Sequence, residues 1–534
     1  MTLKNPILNA KRVCRLAISY FPFSPVFFAA SAVLSLFLHN IGELTLNRLF
    51  IPLGVCILFA LLLSYPARFV MKERRKGDIF ASVFMILFFT YGAIWNAFGE
   101  FSFILGPAVI GKNHVLILVL TLTYIVIFIL LRRTQKKLLA LNKSFLLIGL
   151  LMVVFTSFGI VNYQLAQRMY PTETSHLTLP NVKETPAGLP DVYYIVPDSY
   201  SAPANLSKYF SFDDADFTSY LKNKGFYVAS GSTSNYPTTV LSLSSTLNME
   251  YIDYLSSHHN SSDISVAAPL IQNNNVLQLF RTLGYRYYQM GSWWWPTGYN
   301  PLADDNYNIQ KENHLGISIF PYAILESTAL KPFLDGMIPE KVIGESDEDK
   351  REIVIYQFDA LPKVATLPSP KFVFIHIISP HGPYVFDKNC GITSYAQNWF
   401  RPETQNYTDQ VNCLNKKLET IINAILKASQ KPPVILLQSD EGAKFIAGML
   451  QPEESWQNAT TKELKMKFPI LSAYFLPGVS KDKLYQTITP VNSFRSIFNL
   501  YFDANMPLLP DRNYIYLDNK HFYDFRDVTK EVKN

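Results

Sequence analysis

Acidic and imidazole side chains follow three short apolar runs in the C-terminal two thirds of this 534-residue chain. Asp198 follows VYYIV, His381 follows KFVFIHII, and Asp440 and Glu441 follow PVILLQ. A single aspartate after a strand is most often a helix cap or a turn residue. Three strands that end in this way weaken that explanation, because carboxylates gathered at one sheet edge repel one another unless a cation binds them. The pattern predicts a divalent metal site.

A hydroxyl nucleophile for such a site is offered by Thr238 and Thr239, which stand directly before the helix-like run VLSLSSTLN. A helix N-terminus presents free N–H groups and the positive end of its dipole to an incoming phosphate. A metal can also lower the pKa of a hydroxyl enough for attack. The alternative is a threonine that only caps the helix, and the segment taken alone favours the cap.

The elements that must position these residues follow an α/β pattern. Apolar runs at 192–196, 371–378 and 433–438 are typical of fully buried strands. Amphipathic segments at 273–285 and 410–429 predict helices between them. This alternation predicts a mainly parallel central sheet flanked by helices, in which chemistry collects at the carboxyl ends of the strands.

The first third of the chain has a different character. Nearly uncharged runs long enough to cross a hydrocarbon core of ~30 Å occur at 17–38, 49–65, 79–98, 115–131 and 145–161. Loops rich in Lys and Arg alternate with loops nearly free of them. By the positive-inside rule, about five α-helical spans then place the N-terminus inside and the C-terminal domain outside. Membrane topology also explains the net charge of +6 better than nucleic-acid binding does.

These patterns divide the chain into a transmembrane anchor over 1–165, a linker over 166–190 and an external α/β domain over 191–534. The linker contains a Pro- and Thr-rich polar stretch. A cleavable signal peptide is not expected, because the first apolar run is too long for an h-region. Outside the cytoplasm, Cys390 and Cys413 could form one disulfide or remain two buried thiols.

At these residues the sequence resembles the sulfatase-like hydrolases and transferases of the alkaline phosphatase superfamily, particularly membrane-bound phosphoethanolamine transferases and lipoteichoic acid synthases. Both groups have about five spans and an external catalytic domain. The resemblance implies that Asp198 is an acidic metal ligand. It also implies that Thr239 is the phosphate-accepting nucleophile and contacts the metal. Thr239 is favoured over Thr238 because Thr239, Ser242 and Leu243 reproduce the spacing found in the transferases.

Other family elements are matched only in part. HIISPHGPY resembles the family's HGP element, which implies that His381 contacts the substrate phosphate. His376 is a second substrate contact or a buried core histidine. Asp440 matches a metal ligand of the family's Asp-His-Gly element, but Glu441 stands in place of the histidine. With Glu441 as a further ligand the site becomes harder, so Mn²⁺, Mg²⁺ or Ca²⁺ competes with Zn²⁺. The Cys/Ser-x-Pro-x-Arg hallmark of sulfatases is absent, which makes sulfate-ester hydrolysis the least expected chemistry.

The resemblance therefore implies a metal-dependent transferase of a bacterial inner membrane with a periplasmic C-terminal domain. It would move a phosphoethanolamine- or phosphoglycerol-type headgroup from a membrane phospholipid, through Thr239, to an envelope glycan or lipopolysaccharide. One alternative is a phosphodiesterase or sulfatase-like hydrolase. Another is a non-catalytic envelope protein that binds or scaffolds through a degenerate metal site.

Overall fold

The structure is a computed structural model. It describes residues 21–41, 46–98, 102–105, 108–135, 138–169, 175–183, 189–258, 263–309, 319–334, 347–393, 398, 401–443 and 456–533. Two compact units emerge. One comprises 1–169 with 313–344, and the other comprises 170–312 with 345–534.

The described helices are numbered in chain order. They are α1 Phe23–His39, α2 Asn47–Met71, α3 Arg74–Ala97, α4 Lys112–Arg133, α5 Leu139–Met169, α6 Pro203–Phe210, α7 Ala215–Asn223, α8 Thr239–Asn248, α9 Pro269–Gln272, α10 Asn275–Thr282, α11 Trp295–Gly298, α12 Ile319–Glu326, α13 Lys331–Leu334, α14 Asp347–Ala365, α15 Glu403–Ala428, α16 Thr461–Lys467, α17 Pro490–Phe502 and α18 Thr529–Lys533.

The described strands are numbered in the same way. They are β1 Ser102–Leu105, β2 Ala108–Gly111, β3 Val192–Pro197, β4 Tyr227–Val228, β5 Arg286–Met290, β6 Asp305–Tyr307, β7 Lys371–Ile377, β8 Val434–Gln438, β9 Ser472–Phe475, β10 Tyr514–Tyr516 and β11 Phe525–Asp527. Short 3₁₀ turns occur at Asp253–Ser257, Ile264–Val266 and Lys481–Lys483.

The first unit contains the apolar helices. Helices α2 to α5 are long and apolar enough to cross a membrane, and α1 is an apolar helix of 17 residues. The prediction of an α-helical transmembrane region is confirmed, with four to five spans. Residues 17–20 of the first predicted span lie outside the described residues.

Two of the Lys- and Arg-rich loops lie together at one end of this unit. The Lys76 ammonium donates to the Thr134 carbonyl at 2.9 Å, and Arg132 Nη1 donates to the Val70 carbonyl at 2.9 Å. The last turn of α2 and the first turn of α3 therefore contact the end of α4. Both loops must then face the same side of a membrane, as the charge alternation requires.

The second unit is built on a seven-stranded sheet in the order β4-β9-β8-β3-β7-β5-β6. Strand β3 pairs in parallel with β7 on one side and β8 on the other, and β5 continues the parallel arrangement beyond β7. Only β9 runs against its neighbours. The predicted mainly parallel sheet is confirmed, and its three predicted strands lie side by side at its centre.

Helices cover both faces of this sheet because its central strands are apolar on both sides. Tyr194 and Val196 pack with α8, α9, α10 and α17 in one core. Tyr193 and Ile195 pack with α6, α7, α14 and α15 in the other. Successive side chains of a strand point to opposite faces, so a continuous apolar run fills both cores.

Helices α12 and α13 form a short insertion that leaves the second unit and packs into the first. Phe320 is buried and its ring meets that of Phe37 edge to face, with 5.6 Å between centroids. The Gly92 N–H donates to the Ser327 carbonyl at 3.0 Å, and the Ala329 N–H donates to the Phe88 carbonyl at 2.9 Å. The insertion therefore bonds directly to the backbone of α3.

The close approach of the insertion depends on the missing side chain of Gly92. A Cβ at this position would lie 2.7 Å from Ser327 Cα and 2.8 Å from the Glu326 carbonyl oxygen. We expect Gly92→Ala to lower the stability of the full-length protein by about 1–3 kcal/mol, because backbone atoms must move. The Tm is measured in detergent from the change in intrinsic fluorescence on heating.

Gly54→Ala is the matched control, because a Cβ at Gly54 in α2 meets no atom within 4 Å. We expect its Tm to be unchanged or higher, since alanine is the better helix former. Equal Tm values for the two variants would contradict the packing of the insertion against α3.

Candidate metal centre

Three adjacent parallel strands deliver the central residues of the site. Asp198 follows β3, His376 is the penultimate residue of β7, and Asp440 lies two residues beyond β8. All three are buried, and one ligand atom from each lies within 4.8 Å of those of the other two. Two carboxylates and an imidazole are a ligand set that binds divalent metals. The structure thus brings together two predicted ligands and the histidine whose role the sequence left open.

His376 owes its orientation to the alternation of β7. Phe372 and Phe374 pack into the core that contains α8, and the next even position carries the imidazole to the same face. His376 Nε2 lies 3.3 Å from Asp198 Oδ2, and Nδ1 lies 2.9 Å from Thr297 Oγ1. Bonding of Nδ1 to the Thr297 hydroxyl leaves Nε2 as the nitrogen that faces the carboxylates.

The site carries excess negative charge. Burial, the nearby charge of Asp198 and that of Glu441 raise the pKa of Asp440 well above its usual value. Burial also acts to raise the pKa of Asp198, but the charge of His381 and the nearby His376 imidazole outweigh it and hold that pKa at about 2. A bound cation would stabilise both carboxylates in their ionised form.

Two buried atoms of the site also lack a hydrogen-bond partner. Among the described residues, none bonds Asp440 Oδ2 or His376 Nε2. Buried polar atoms are normally satisfied, so an unsatisfied acceptor and an unsatisfied nitrogen beside each other indicate a missing ligand. Both atoms are metal-ligating types. The residues present therefore fit a divalent metal ion.

Glu441 has partners of its own. Its Oε1 lies 2.9 Å from Lys467 Nζ and 3.0 Å from Ser199 Oγ, and the Lys467 side chain is itself buried. The same Ser199 hydroxyl lies 3.0 Å from Asp198 Oδ1, and the Ser199 N–H donates to Asp440 Oδ1 at 3.2 Å. Ser199 reaches all three carboxylates because its backbone is left-handed, with φ of 62°. Glu441 therefore borders the cluster and is neutralised by Lys467.

Thr239 is the first residue of α8, beside the carboxylates. Its side chain hydrogen-bonds Asp440, which opposes the rise in that group's pKa. Ser242, one turn along, donates to the Asp440 backbone carbonyl at 2.6 Å and so fixes the start of the helix against the end of β8. Thr238 occupies the N-cap position without a side-chain capping bond, and its buried hydroxyl has no partner among the described residues.

His381 lies beyond β7, on the loop that follows the strand. Its N–H donates to the Asp198 carbonyl at 3.1 Å, and its side chain is half-buried. Gln410 of α15 accepts from the Val385 N–H at 2.7 Å and donates to the His381 carbonyl at 2.9 Å, which ties this loop to the helix. The imidazole thus stands at the rim of the cluster rather than among the three buried groups.

Thr297 and Lys467 were missed by the sequence reasoning. Thr297 lies 79 positions from His376 in a short helix after three tryptophans, where nothing distinguishes it from a turn residue. Lys467 ends α16 and resembles any basic residue in a last helical turn. The Trp294 ring, three residues before Thr297, meets the His376 ring edge on, with 6.0 Å between centroids.

The bond from Thr297 predicts a role in metal binding. We expect Thr297→Val to weaken Zn²⁺ binding by about 10- to 100-fold, because the imidazole loses the partner that orients it. Thr297→Ser keeps the hydroxyl and should bind Zn²⁺ like the unmodified chain. Isothermal titration of the full-length protein in detergent measures both. Equal weakening by the two substitutions would point to packing rather than to the hydrogen bond.

Substitutions of Asp440 and of Glu441 should differ in their effect on Zn²⁺ affinity. We expect Asp440→Asn to abolish tight Zn²⁺ binding, because it removes a carboxylate and its charge from the centre of the cluster. Glu441→Gln should have a much smaller effect, because this carboxylate already pairs with Lys467. Titration with Zn²⁺ compares the two isosteric substitutions directly. Equal losses of affinity would mean that Glu441 ligates the metal as well.

Several solved structures are similar to this chain at low sequence identity. The C-terminal periplasmic domain of EptC from Escherichia coli, in complex with Zn, is 14% identical with a TM-score of 0.41, over 66% of this chain and 96% of that one. The corresponding domain of the phosphoethanolamine transferase EptC from Campylobacter jejuni is 13% identical with a TM-score of 0.37, over 63% and 94%. A Bacteroides thetaiotaomicron protein from a locus for glycosaminoglycan metabolism is 11% identical with a TM-score of 0.38, over 64% and 83%.

No curated protein sequence matches the chain significantly. The sequence profile of the sulfatase family, in contrast, matches residues 190–473, which is more than half of the chain and includes every residue of the cluster. The chain therefore belongs to the sulfatase family.

Proposed function

We propose that this protein is a membrane-anchored, metal-dependent transferase that moves a phosphorylated headgroup from a phospholipid through Thr239. The observation that carries the proposal is the position of Thr239. It opens α8 directly beside a buried cluster of metal-ligating groups. A hydroxyl there meets both the N–H groups of a helix start and a metal-binding carboxylate, which is the setting for attack on phosphorus.

Asp198, His376 and Asp440 would hold the metal. When bound, it would lower the pKa of the Thr239 hydroxyl and offset negative charge on the phosphate. Zn²⁺ is the ion proposed, because an imidazole among the ligands suits it better than an all-oxygen set. The harder ions Mn²⁺, Mg²⁺ and Ca²⁺ are less suited, since Glu441 is engaged by Lys467.

The reaction would take place in two displacements. Thr239 Oγ loses its proton to solvent and forms a bond to phosphorus, and the phosphorus–oxygen bond to diacylglycerol breaks. His381 donates a proton to the departing alkoxide from the rim of the site. An acceptor hydroxyl on an envelope glycan or lipopolysaccharide then gives its proton to His381 and attacks the phospho-threonine, whose bond from phosphorus to Thr239 Oγ breaks. The free N–H groups at the start of α8 hold the phosphate oxygens through both steps.

The anchor and the disulfide support a location at the outer face of a bacterial inner membrane. A lipid donor is within reach of a domain attached by four to five spans. Cys390 and Cys413 form a disulfide that links the loop after β7 to α15. Disulfides persist in oxidising compartments, which favours the periplasm over the cytoplasm for this unit.

The alternative functions differ in which acceptor cleaves the phospho-threonine intermediate, or in whether that intermediate forms. With water as acceptor the protein is a phosphodiesterase-like hydrolase. A non-catalytic scaffold is the other alternative, motivated by glutamate at position 441. Splayed carboxylates would favour the scaffold, whereas the three groups here converge beside Thr239. That convergence supports an enzyme.

The proposal predicts a covalent adduct on Thr239. We expect the full-length protein, incubated with phosphatidylethanolamine and Zn²⁺, to gain the mass of a phosphoethanolamine group and to release diacylglycerol. Thr239→Ala should lose both signals, and Thr238→Ala should keep the adduct. Intact-mass spectrometry, with phosphatidylglycerol as a second donor, measures the adduct and names the headgroup.

Other outcomes separate the alternatives. Diacylglycerol release without an adduct, still dependent on Thr239, would indicate rapid hydrolysis. The absence of both the adduct and diacylglycerol release with Zn²⁺, Mn²⁺, Mg²⁺ and Ca²⁺ would contradict the transferase and favour the scaffold.

A further inference from the structure

A buried lysine ammonium stands at the edge of the metal centre. Lys467 is the last residue of α16, and only 7% of its surface is exposed. Its Nζ lies 2.9 Å from Glu441 Oε1 and donates to the Gly442 carbonyl at 3.1 Å. An ammonium group loses its hydration on burial, so a buried lysine normally has a carboxylate partner. Loss of either member of this pair would leave the other charge buried and unpaired.

The backbone beneath this pair is fixed from two sides. The Gly442 N–H donates to the Lys467 carbonyl at 3.0 Å, and a Cβ at Gly442 would lie 2.1 Å from that oxygen. A larger residue at position 442 would therefore push the end of α16 away from Glu441. On the other side, the Asn205 amide of α6 donates to the Met466 carbonyl at 3.0 Å. The base of the Lys467 side chain is thus held at a fixed place beside the cluster.

Glu441 is separated from the proposed metal ligands by a single hydroxyl group. Ser199 Oγ lies 3.0 Å from Glu441 Oε1 and 3.0 Å from Asp198 Oδ1, and Asp440 is the neighbour of Glu441 in the chain. A carboxylate this close to a buried divalent cation is strongly attracted to it and adds to its ligands unless another cation holds it. The Lys467 ammonium is that other cation, because it contacts the same Oε1 atom.

We propose that Lys467 sets which metal ion the centre binds, by keeping Glu441 out of the ion's coordination shell. While Glu441 pairs with the ammonium, the ligands are two carboxylates and the His376 imidazole, a set that suits Zn²⁺. Without the ammonium, Glu441 becomes a third carboxylate ligand, and the site suits the harder ions Mn²⁺ and Mg²⁺. Lys467 is a positioning residue that acts through Glu441. This inference rests on the metal centre of the proposed function and not on the identity of the donor or acceptor.

Lys467→Met tests this role, because it removes the ammonium and keeps an unbranched side chain. Isothermal titration of the full-length protein in detergent gives the Kd values for Zn²⁺ and Mn²⁺. Both ions carry two positive charges, so loss of a nearby cation strengthens their binding alike, whereas a new carboxylate ligand changes the ratio of their Kd values. We expect the preference for Zn²⁺ over Mn²⁺ to fall by about tenfold or more. Lys462→Met removes an exposed ammonium from the same helix and should leave the preference unchanged.

Two further variants separate ligation by Glu441 from damage to the fold. Lys467→Gln keeps a hydrogen-bond donor for the Gly442 carbonyl and should show the same fall in preference. Lys467→Met combined with Glu441→Gln removes both charges, so no unpaired carboxylate is left to join the metal. We expect this double variant to prefer Zn²⁺ as the unmodified chain does. Bound Co²⁺ gives a second readout, because its visible absorption weakens as ligands are added, and the absorption should be weaker only in the two single variants at position 467.

The possible failures are distinguishable. An unchanged preference in both single variants, or an equal fall in the single and double variants, would overturn the role of Lys467 and leave the proposed function intact. Failure of the unmodified protein to bind Zn²⁺ would contradict the metal centre itself, and the proposed function with it.

Discussion

Two aspartates buried at the ends of neighbouring strands set the constraint that the α/β unit must satisfy. Asp198 and Asp440 are 3% and 1% exposed, and they follow β3 and β8, which pair in parallel. Parallel pairing brings both strand ends to the same edge, so the carboxylates cannot separate without breaking the sheet. Burying like charges is costly unless opposite charge or hydrogen bonds compensate for it.

The surrounding residues provide part of that compensation, and they come from distant parts of the chain. Ser199 contributes a backbone N–H and a hydroxyl, and Lys467 neutralises Glu441. His376 adds an imidazole that Thr297 holds in place. The pKa of Asp440 nevertheless remains raised, and its Oδ2 remains without a partner among the described residues. What is still lacking is a positive charge at the centre, which a divalent ion would supply.

The parts of this arrangement that could be predicted from sequence are those that leave a local pattern. Apolar runs predicted β3, β7 and β8 to within a residue or two, and the position of Asp198 and Asp440 after strands predicted that they would meet. The role of His376 remained ambiguous, because the sequence around a histidine in a buried strand is the same whether its side chain packs in the core or binds a metal or substrate. Lys467 and Thr297 act only through tertiary contacts, so no periodicity reveals them. The insertion was also missed, since α12 has eight residues and is far shorter than a membrane span.

The insertion also changes how the two units are connected. Sequence patterns predicted a single linker, whereas the division of the chain gives three crossings, at 169–170, 312–313 and 344–345. The returning chain enters α14, where Gln357 donates to the His376 carbonyl at 2.8 Å. The α12–α13 insertion is thus continuous in sequence with a helix that supports the metal centre.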